Sequence, residues 1–104
     1  TGDGIARMVI PSTLNGLSLN SIAAHVFTVG SSGTTTVMLH NETDAVDMLT
    51  TVISIEVSES DSSTSGTQPV ISASNTVATA DVLRFDVDSI STGAKGLEVR
   101  MTFQ

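Results

Sequence analysis

The chain has 104 residues and contains no cysteine, no tryptophan, no tyrosine and only four basic residues. Without cysteine, disulfide bonds and cysteine-ligated zinc or iron–sulfur sites are excluded. The net charge is −7, and Arg7, Arg84, Lys95 and Arg100 are scattered, so we expect no binding to a nucleic-acid backbone. No apolar run approaches the ~20 residues that a membrane span needs, and we therefore expect no membrane partner either.

Aromatic side chains are limited to Phe27, Phe85 and Phe103. Tryptophan and tyrosine dominate many protein–protein hot spots, and exposed aromatic rings commonly form the platforms of sugar-binding β-sandwiches. Two of the three phenylalanines fall on the apolar faces of predicted strands. Carbohydrate binding by this chain would therefore depend on polar loops.

Two alternating runs near the C-terminal end give the clearest structural signal. Leu83, Phe85 and Val87 alternate with charged residues, and the run from Leu97 to Phe103 alternates in the same way. Side chains of a strand point alternately to its two faces, so each run predicts a strand with one apolar face and one solvated face. With residues 91–96 as a turn, we predict an antiparallel hairpin whose charged residues all face solvent.

The rest of the chain predicts further short strands separated by turn residues. We expect strands at residues 4–10, 21–29, 34–40 and 50–57, and a short one at 70–71, with residues 30–33 forming a second hairpin turn. In the strand at 50–57, Ile53, Ile55 and Val57 are expected to point inward and Ser54 and Glu56 outward. The fold class is therefore all-β: one domain over residues 1–104, a jelly-roll-like antiparallel β-sandwich of about seven or eight strands.

Three segments carry more specific or less settled predictions. Residues 41–49 have no period of two and could hold a helical turn with an acidic start. Residues 58–69 contain no apolar side chain before Pro69, so we expect an exposed, mobile loop. Residues 22–29 are apolar on both faces, so this strand is either covered on both sides within the monomer or presents one face, with Phe27 and Val29, to a partner.

The residues that could carry chemistry form no recognisable constellation. His25 and His40 would share a sheet face at best, and no third zinc ligand stands at a suitable spacing. The acidic residues lack the Asp-rich, glycine-punctuated loop of a calcium site. No Gly-x-Ser-x-Gly elbow is present, and no carboxylate lies in an apolar context that suggests a glycosidase. Asn41-Glu42-Thr43 matches the glycosylation sequon, a tripeptide that is common by chance. We expect no catalytic residues, no metal and no cofactor.

Several phrases, in order along most of the chain, resemble a small β-domain of tailed-bacteriophage virion proteins. These phrases are Ile10-Pro11 followed by Leu14-Asn15-Gly16, residues 22–28 running into the turn at 30–36, Asn41-Glu42-Thr43-Asp44 followed by Asp47-Met48-Leu49, the serine-rich residues 59–66, and Lys95-Gly96-Leu97-Glu98-Val99. The resemblance implies a β-sandwich displayed on the surface of the phage particle, as a capsid decoration or as a tail or fibre module. It implies no catalytic residues.

The expected function is accordingly structural and non-enzymatic. The partners would be other virion proteins, such as a major capsid or tail protein, together with further copies of the chain, for which a homotrimer is the expected assembly. Two alternatives stay open. One is a carbohydrate-binding or host-recognition module on a phage tail or bacterial surface, acting through loops 41–47 or 58–69. The other is a pilin-like or adhesin subunit, which would show an incomplete sandwich completed by a partner strand.

Overall fold

The computed structural model describes residues 2–104, apart from the side chain of Asp3, and shows nine β-strands and no α-helix in that range. Two single-turn 3-10 helices lie at Ser12–Leu14 and Ser62–Thr64. The strands are β1 (Gly2–Val9), β2 (Leu19–Thr28), β3 (Thr35–Asn41), β4 (Val46–Asp47), β5 (Leu49–Thr51), β6 (Ile53–Ile55), β7 (Val70–Ile71), β8 (Val82–Ser89) and β9 (Lys95–Phe103). The all-β prediction is confirmed, whereas the jelly-roll arrangement stays a prediction.

The strands form three antiparallel sheets. The largest has the order β1-β8-β3-β4, with β6 also paired to β3. A second sheet consists of β2 and β9, and a third of β5 and β7. The second sheet therefore has only two strands, fewer than the sheet that carries β8.

The alternating patterns place the core between these sheets. In β2, Ile22, Ala24 and Val26 are buried, whereas Phe27 is 71% exposed. The inward face of β2 is thus the one with Ile22, and its outer face is open, so the interpretation of β2 as a strand covered on both sides is wrong. Other strands contribute Val37, Leu39, Ile53, Ile55, Leu83 and Val87, and Ile10, Met48 and Val77 from the connecting segments also belong to the core.

Both predicted hairpins are wrong in the same way. β8 pairs with β1 and β3, and β9 pairs with β2, so no ladder joins β8 to β9. Likewise β2 and β3 belong to different sheets. The connections at 29–34 and 90–94 are therefore arches that carry the chain from one sheet to the other. Alternation fixes which side chains point inward, but it does not fix which strand is the neighbour.

The two arches are joined to each other at one end of the molecule. Ser31 N–H donates to Thr92 O at 2.9 Å, and Thr92 N–H donates to Ser32 O at 2.8 Å. Ser91, which is 2% exposed, donates its N–H to Thr35 Oγ1 and its hydroxyl to Ser32 O. These bonds supply the partners that the loop backbone needs and fix the point from which β9 begins.

The serine-rich segment 58–69 is exposed over most of its length, as its composition predicted, but it is also hydrogen-bonded to β2. Val26 N–H donates to Ser60 O at 2.7 Å, and Ala24 N–H donates to Ser62 Oγ at 2.9 Å. Ser62 is 1% exposed and Ser65 is 8% exposed. The segment therefore covers the edge of β2 that faces away from β9. Hydroxyl and carbonyl oxygens of a loop can accept the N–H groups of a strand in place of a neighbouring strand. A segment without apolar residues can therefore still pack against a strand edge.

The region from 41 to 57 also departs from its predicted pattern. Residues 41–49 contain a tight turn in which Ala45 has φ 55°, followed by β4, and no helix. The predicted strand at 50–57 is divided between β5 and β6. Ile53 and Ile55 point inward as predicted, but Ser54, which was expected to point outward, is only 8% exposed. Val57 was expected to point inward and is 43% exposed, because the chain leaves the sheet after β6.

Candidate functional site

The outer face of the β2–β9 sheet carries an exposed aromatic ring. Phe27 lies across the strand from Gly96, where a Cβ atom would come within 3.2 Å of Phe27 Cβ and Cδ2. The ring of His25 meets Phe27 edge-on, with 4.9 Å between ring centroids. The phenylalanine thus covers a glycine in β9, a pairing that pins the register of the two strands.

An ion-pair cluster on the same face ties β9 to the segment 58–69. Arg100 donates from both terminal nitrogens to the two carboxylate oxygens of Asp61, at 2.8 and 2.9 Å. Asp61 Oδ1 also lies 3.0 Å from His25 Nδ1, and its Oδ2 accepts the Ser63 N–H. The Arg100 guanidinium, followed by the bonds from Ser63, holds the pKa of Asp61 far below its usual range. The same contact raises the pKa of Arg100.

A second carboxylate is buried in β8, contrary to the prediction that every charge in β8 and β9 faces solvent. Asp86 is 5% exposed. It accepts two bonds from Arg84, at 2.8 and 2.9 Å, and the Gly4 N–H at 2.9 Å. Burial raises the pKa of Asp86, but the bonds from Arg84 and Gly4 outweigh burial, so that the pKa is lowered overall. The cluster holds the irregular start of β1 against β8, where the register shifts between Gly2 and Ala6.

The two histidines lie in different sheets, so they do not share a face. His25 is in β2 and contacts Asp61, whereas His40 is in β3 and places Nδ1 2.7 Å from Asp47 Oδ1. Over residues 2–104, neither histidine ring is hydrogen-bonded to a serine or threonine hydroxyl. In the same range no group of three or more metal-ligating side chains converges. Both rings act as partners of single aspartates.

The acidic residues that invited a calcium hypothesis are spread over separate contacts. Asp44 and Asp81 both accept from Asn41 Nδ2, at 3.3 and 3.1 Å, and Glu59 accepts from Thr64. Asp47, Asp61 and Asp86 have the partners already described. Asn41 is 1% exposed, so the asparagine of the glycosylation sequon is buried in the folded protein.

The polar loops that could bind carbohydrate are tied down by internal bonds. Thr43 Oγ1 accepts the Val82 N–H, and Asn41 Oδ1 accepts the Asp44 N–H. In the other loop, Gln68 Nε2 donates to Ser62 O and Ser65 O, and Glu56 accepts the Gly66 N–H. No helix within residues 2–104 is long and apolar enough to span a membrane.

Three exposed apolar side chains, Ile5, Ile90 and Leu97, line two hollows between the largest sheet and the β2–β9 sheet. A hollow of ≈ 220 Å³ is lined by Ile5 and Ala6 of β1, Phe85 and Val87 of β8, and Leu97 and Val99 of β9. Ile5 is 59% exposed and Leu97 is 38% exposed. Small-molecule sites usually measure ~300 Å³ or more and carry convergent polar groups, so this hollow suits a row of apolar side chains better than a ligand.

The same apolar surface continues to the end of the sandwich. A smaller hollow is lined by Val26, Thr35, Ile90, Ala94, Lys95, Gly96 and Leu97, and Leu97 belongs to both hollows. Ile90 is 49% exposed. We call Ile5, Ile90 and Leu97, the exposed apolar side chains that line these two hollows, the apolar rim. Sequence reasoning missed it because the predicted β8–β9 hairpin would have occupied this edge of β9.

Comparison with known proteins gives no match for this chain: no family model, no curated protein and no solved structure is similar to it.

Proposed function

We propose that this protein is a non-enzymatic structural component of a tailed-phage virion, a surface decoration of the capsid or a module of the tail or fibre. It acts at the surface of the particle through contacts with other virion proteins. The observation that carries the proposal is the apolar rim, whose members are 38–59% exposed. Contiguous exposed apolar surface on a small domain marks a protein–protein interaction site.

The other polar surfaces support this function indirectly. Several acidic side chains are engaged in ion pairs within the chain, such as Asp61 with Arg100 and Asp86 with Arg84, and each histidine contacts an aspartate. The loops at both ends are fastened by hydrogen bonds between distant residues. Such a module presents a fixed shape to its neighbours, which suits repeated contacts in a symmetric assembly. The resemblance described above supplies the phage particle as the setting.

The test is the protein content of purified particles. We expect peptides of this chain, in a fixed ratio to the major capsid or tail protein, in particles made by cells that carry its gene in the natural genome. Replacement of Leu97 by Ser should lower that ratio, because it removes an exposed apolar side chain while leaving the inward core positions unchanged. A chain that is synthesised but absent from purified particles would refute the proposal.

A carbohydrate-binding or host-recognition function is the alternative, and the exposed ring of Phe27 beside His25 favours it. Sugars stack on such rings, and neighbouring polar groups can bond their hydroxyls. The main argument against it is that Phe27 already covers Gly96. A glycan array decides between the two functions. Binding that is lost in Phe27→Ala, with folding unchanged, would support the alternative, and silence at high protein concentration would count against it.

A further inference from the structure

The outer edge of β9 has hydrogen-bonding groups directed away from the molecule. On β2, Ala24 and Val26 donate their N–H groups toward the segment 58–69. Since the backbone groups of a strand alternate between its two edges, Ala23 and His25 are the residues of β2 that bond β9. Their partners in register are Arg100 and Glu98. It follows that the N–H and C=O groups of Leu97, Val99 and Met101 point to the opposite edge, where the described residues place no further strand.

This edge lies beside the larger hollow, so it combines unpaired backbone groups with exposed apolar surface. Leu97 and Val99 line the hollow from β9, and Ile5 and Ala6 line it from β1. A strand edge with these properties readily pairs with another strand. From this geometry we propose that two copies of the chain associate through this edge, β9 against β9 of the second copy, in antiparallel orientation about a twofold axis.

Charge complementarity selects one register for this pairing. Because Leu97, Val99 and Met101 carry the available groups, odd-numbered residues must face odd-numbered residues of the second copy. The register centred on Val99 places Glu98 opposite Arg100 of the second copy, and the twofold axis repeats the pair. The two neighbouring registers place Glu98 opposite Glu98, or Arg100 opposite Arg100. Opposite charges directly across a sheet stabilise it, and like charges destabilise it.

Side-chain geometry agrees with this register. With Val99 facing Val99 in a hydrogen-bonded pair, Glu98 and Arg100 fall in the intervening non-bonded pairs, where side chains approach more closely. On the inner face, Leu97 meets Met101 of the second copy, so each hollow is closed partly by apolar side chains of the partner. Arg100 is half exposed while both of its terminal nitrogens bond Asp61, so pairing with Glu98 of the second copy requires the side chain to turn toward the open edge. The interface is self-complementary, as a twofold contact requires.

The inference does not rest on the virion function, because it concerns only the association of the purified chain. The mass of the purified protein, measured by light scattering and sedimentation from micromolar to millimolar concentration, should rise to that of a dimer. Val99→Pro should abolish the dimer, since proline lacks the N–H and is tolerated on the open edge of a strand. Val99→Ala, which keeps the N–H, is the matched control. Circular dichroism and thermal unfolding check that both variants fold.

Charge reversal at Glu98 gives a second test, because overall charge and the proposed register predict opposite changes in the affinity between copies. Glu98→Lys changes the net charge of each copy from −7 to −5, because one negative charge is replaced by one positive charge. If only overall repulsion between acidic copies mattered, this variant would associate more tightly. The proposed register instead places lysine opposite Arg100 and predicts association that is weaker by about tenfold. Glu59→Lys makes the same change of charge outside β9 and should not weaken the dimer.

A cysteine placed at the twofold axis tests the register itself. Val99→Cys should form a disulfide between copies on mild oxidation, because hydrogen-bonded pairs hold their Cα atoms about 5.5 Å apart, within disulfide range. Glu98→Cys reports the neighbouring register and should cross-link poorly. A protein that stays monomeric throughout, a dimer that Val99→Pro and Glu98→Lys leave unchanged, or a trimer would each overturn the proposal. A trimer would at the same time agree with the assembly that the phage resemblance implies.

Discussion

The backbone of Gly30 lies directly against the side chain of Ser91, so that a Cβ atom at residue 30 would stand 1.8 Å from Ser91 Oγ and 2.4 Å from Ser91 Cβ. The contact joins the two arches that replace the predicted hairpins. Glycine is required at residue 30 because Ser91 approaches its backbone too closely to leave room for a side chain. At Gly33 and Gly93 the reason is different, since both have a positive φ.

Gly30→Ala should destabilise the protein by about 1–3 kcal/mol, the usual range for forcing an extra methyl group into a packed site. Urea unfolding followed by circular dichroism measures the change. Gly66→Ala is the matched control: the nearest atom to its Cβ would be Glu56 Oε2 at 3.9 Å, so its effect should stay within about 0.5 kcal/mol. Equal losses in the two variants would show that the arches are not packed as described.

Asp61 should make the stability of the protein depend on pH below about 4. In the unfolded chain its carboxyl titrates near its ordinary value of about 4, whereas in the folded protein Arg100 holds the pKa far lower. Between those values the unfolded state binds more protons, so the free energy of unfolding decreases as the pH falls. The stabilisation is fully present above about pH 5 and is lost progressively as the solution becomes more acidic.

Asp61→Asn should therefore lower the stability at pH 7 by about 1–3 kcal/mol and flatten its decline in acid. Urea unfolding at a series of pH values measures both effects. Glu59→Gln, in the same segment, removes a charge that accepts only the Thr64 hydroxyl, and it should preserve most of the acid slope. If the two variants have the same pH profile, the Arg100–Asp61 pair does not control the acid stability.

The faces of the strands could be predicted from the sequence better than their neighbours. Leu83 and Val87 point into the core as their alternation indicates, and so do Ile53 and Ile55. The pairings could not be predicted, since the glycine-containing turns at 30–33 and 91–96 are compatible with a hairpin and with an arch. An arch differs only in that the next strand joins the opposite sheet, a choice that is made by packing between distant segments.

The ion pairs of Asp86 and Asp61 were not predicted from the sequence, for a related reason. Asp86 reads as a solvated residue of an alternating strand, but Arg84 stands two residues earlier on the same face and provides the partner that permits burial. The spacing of two residues between Arg84 and Asp86 was the signal from which this ion pair could have been predicted. No comparable signal exists for Asp61 and Arg100, which are far apart in sequence and meet only because β9 pairs with β2. The candidate interaction edge was missed for the same reason.

Asp86→Ala should cost about 3 kcal/mol or more, because it removes the carboxylate that accepts two bonds from Arg84 and one from the Gly4 N–H. Chemical denaturation measures the loss. A double variant with Arg84→Ala should lose less than the sum of the two single changes, since each removes the same interaction. Simple additivity would mean that the pair contributes nothing beyond its separate side chains.

Asn41→Asp should be strongly destabilising at neutral pH, and its effect should reverse in part in mild acid. The Asn41 amide donates to Asp44 Oδ2 and Asp81 Oδ2 while its oxygen accepts the Asp44 N–H, and the residue is 1% exposed. An ionised aspartate there would face two carboxylates with no donor between them. We expect a loss of about 3 kcal/mol or more at pH 7.

The pH dependence of the stability of Asn41→Asp distinguishes repulsion between carboxylates from a purely steric effect of the substitution. Crowding of carboxylates raises the pKa of the group in the folded state above its unfolded value, so the folded state binds the additional proton. The stability of Asn41→Asp should accordingly increase, relative to the wild type, as the pH falls from 8 to 5, when a protonated carboxyl can donate as the amide did. Asn15→Asp provides the control, because Asn15 is exposed and its oxygen accepts the Thr79 N–H, which a carboxylate can also accept. A deficit of Asn41→Asp that does not change with pH would mean that the buried amide acts through its shape alone, and that the bonds to Asp44 and Asp81 do not stabilise the turn.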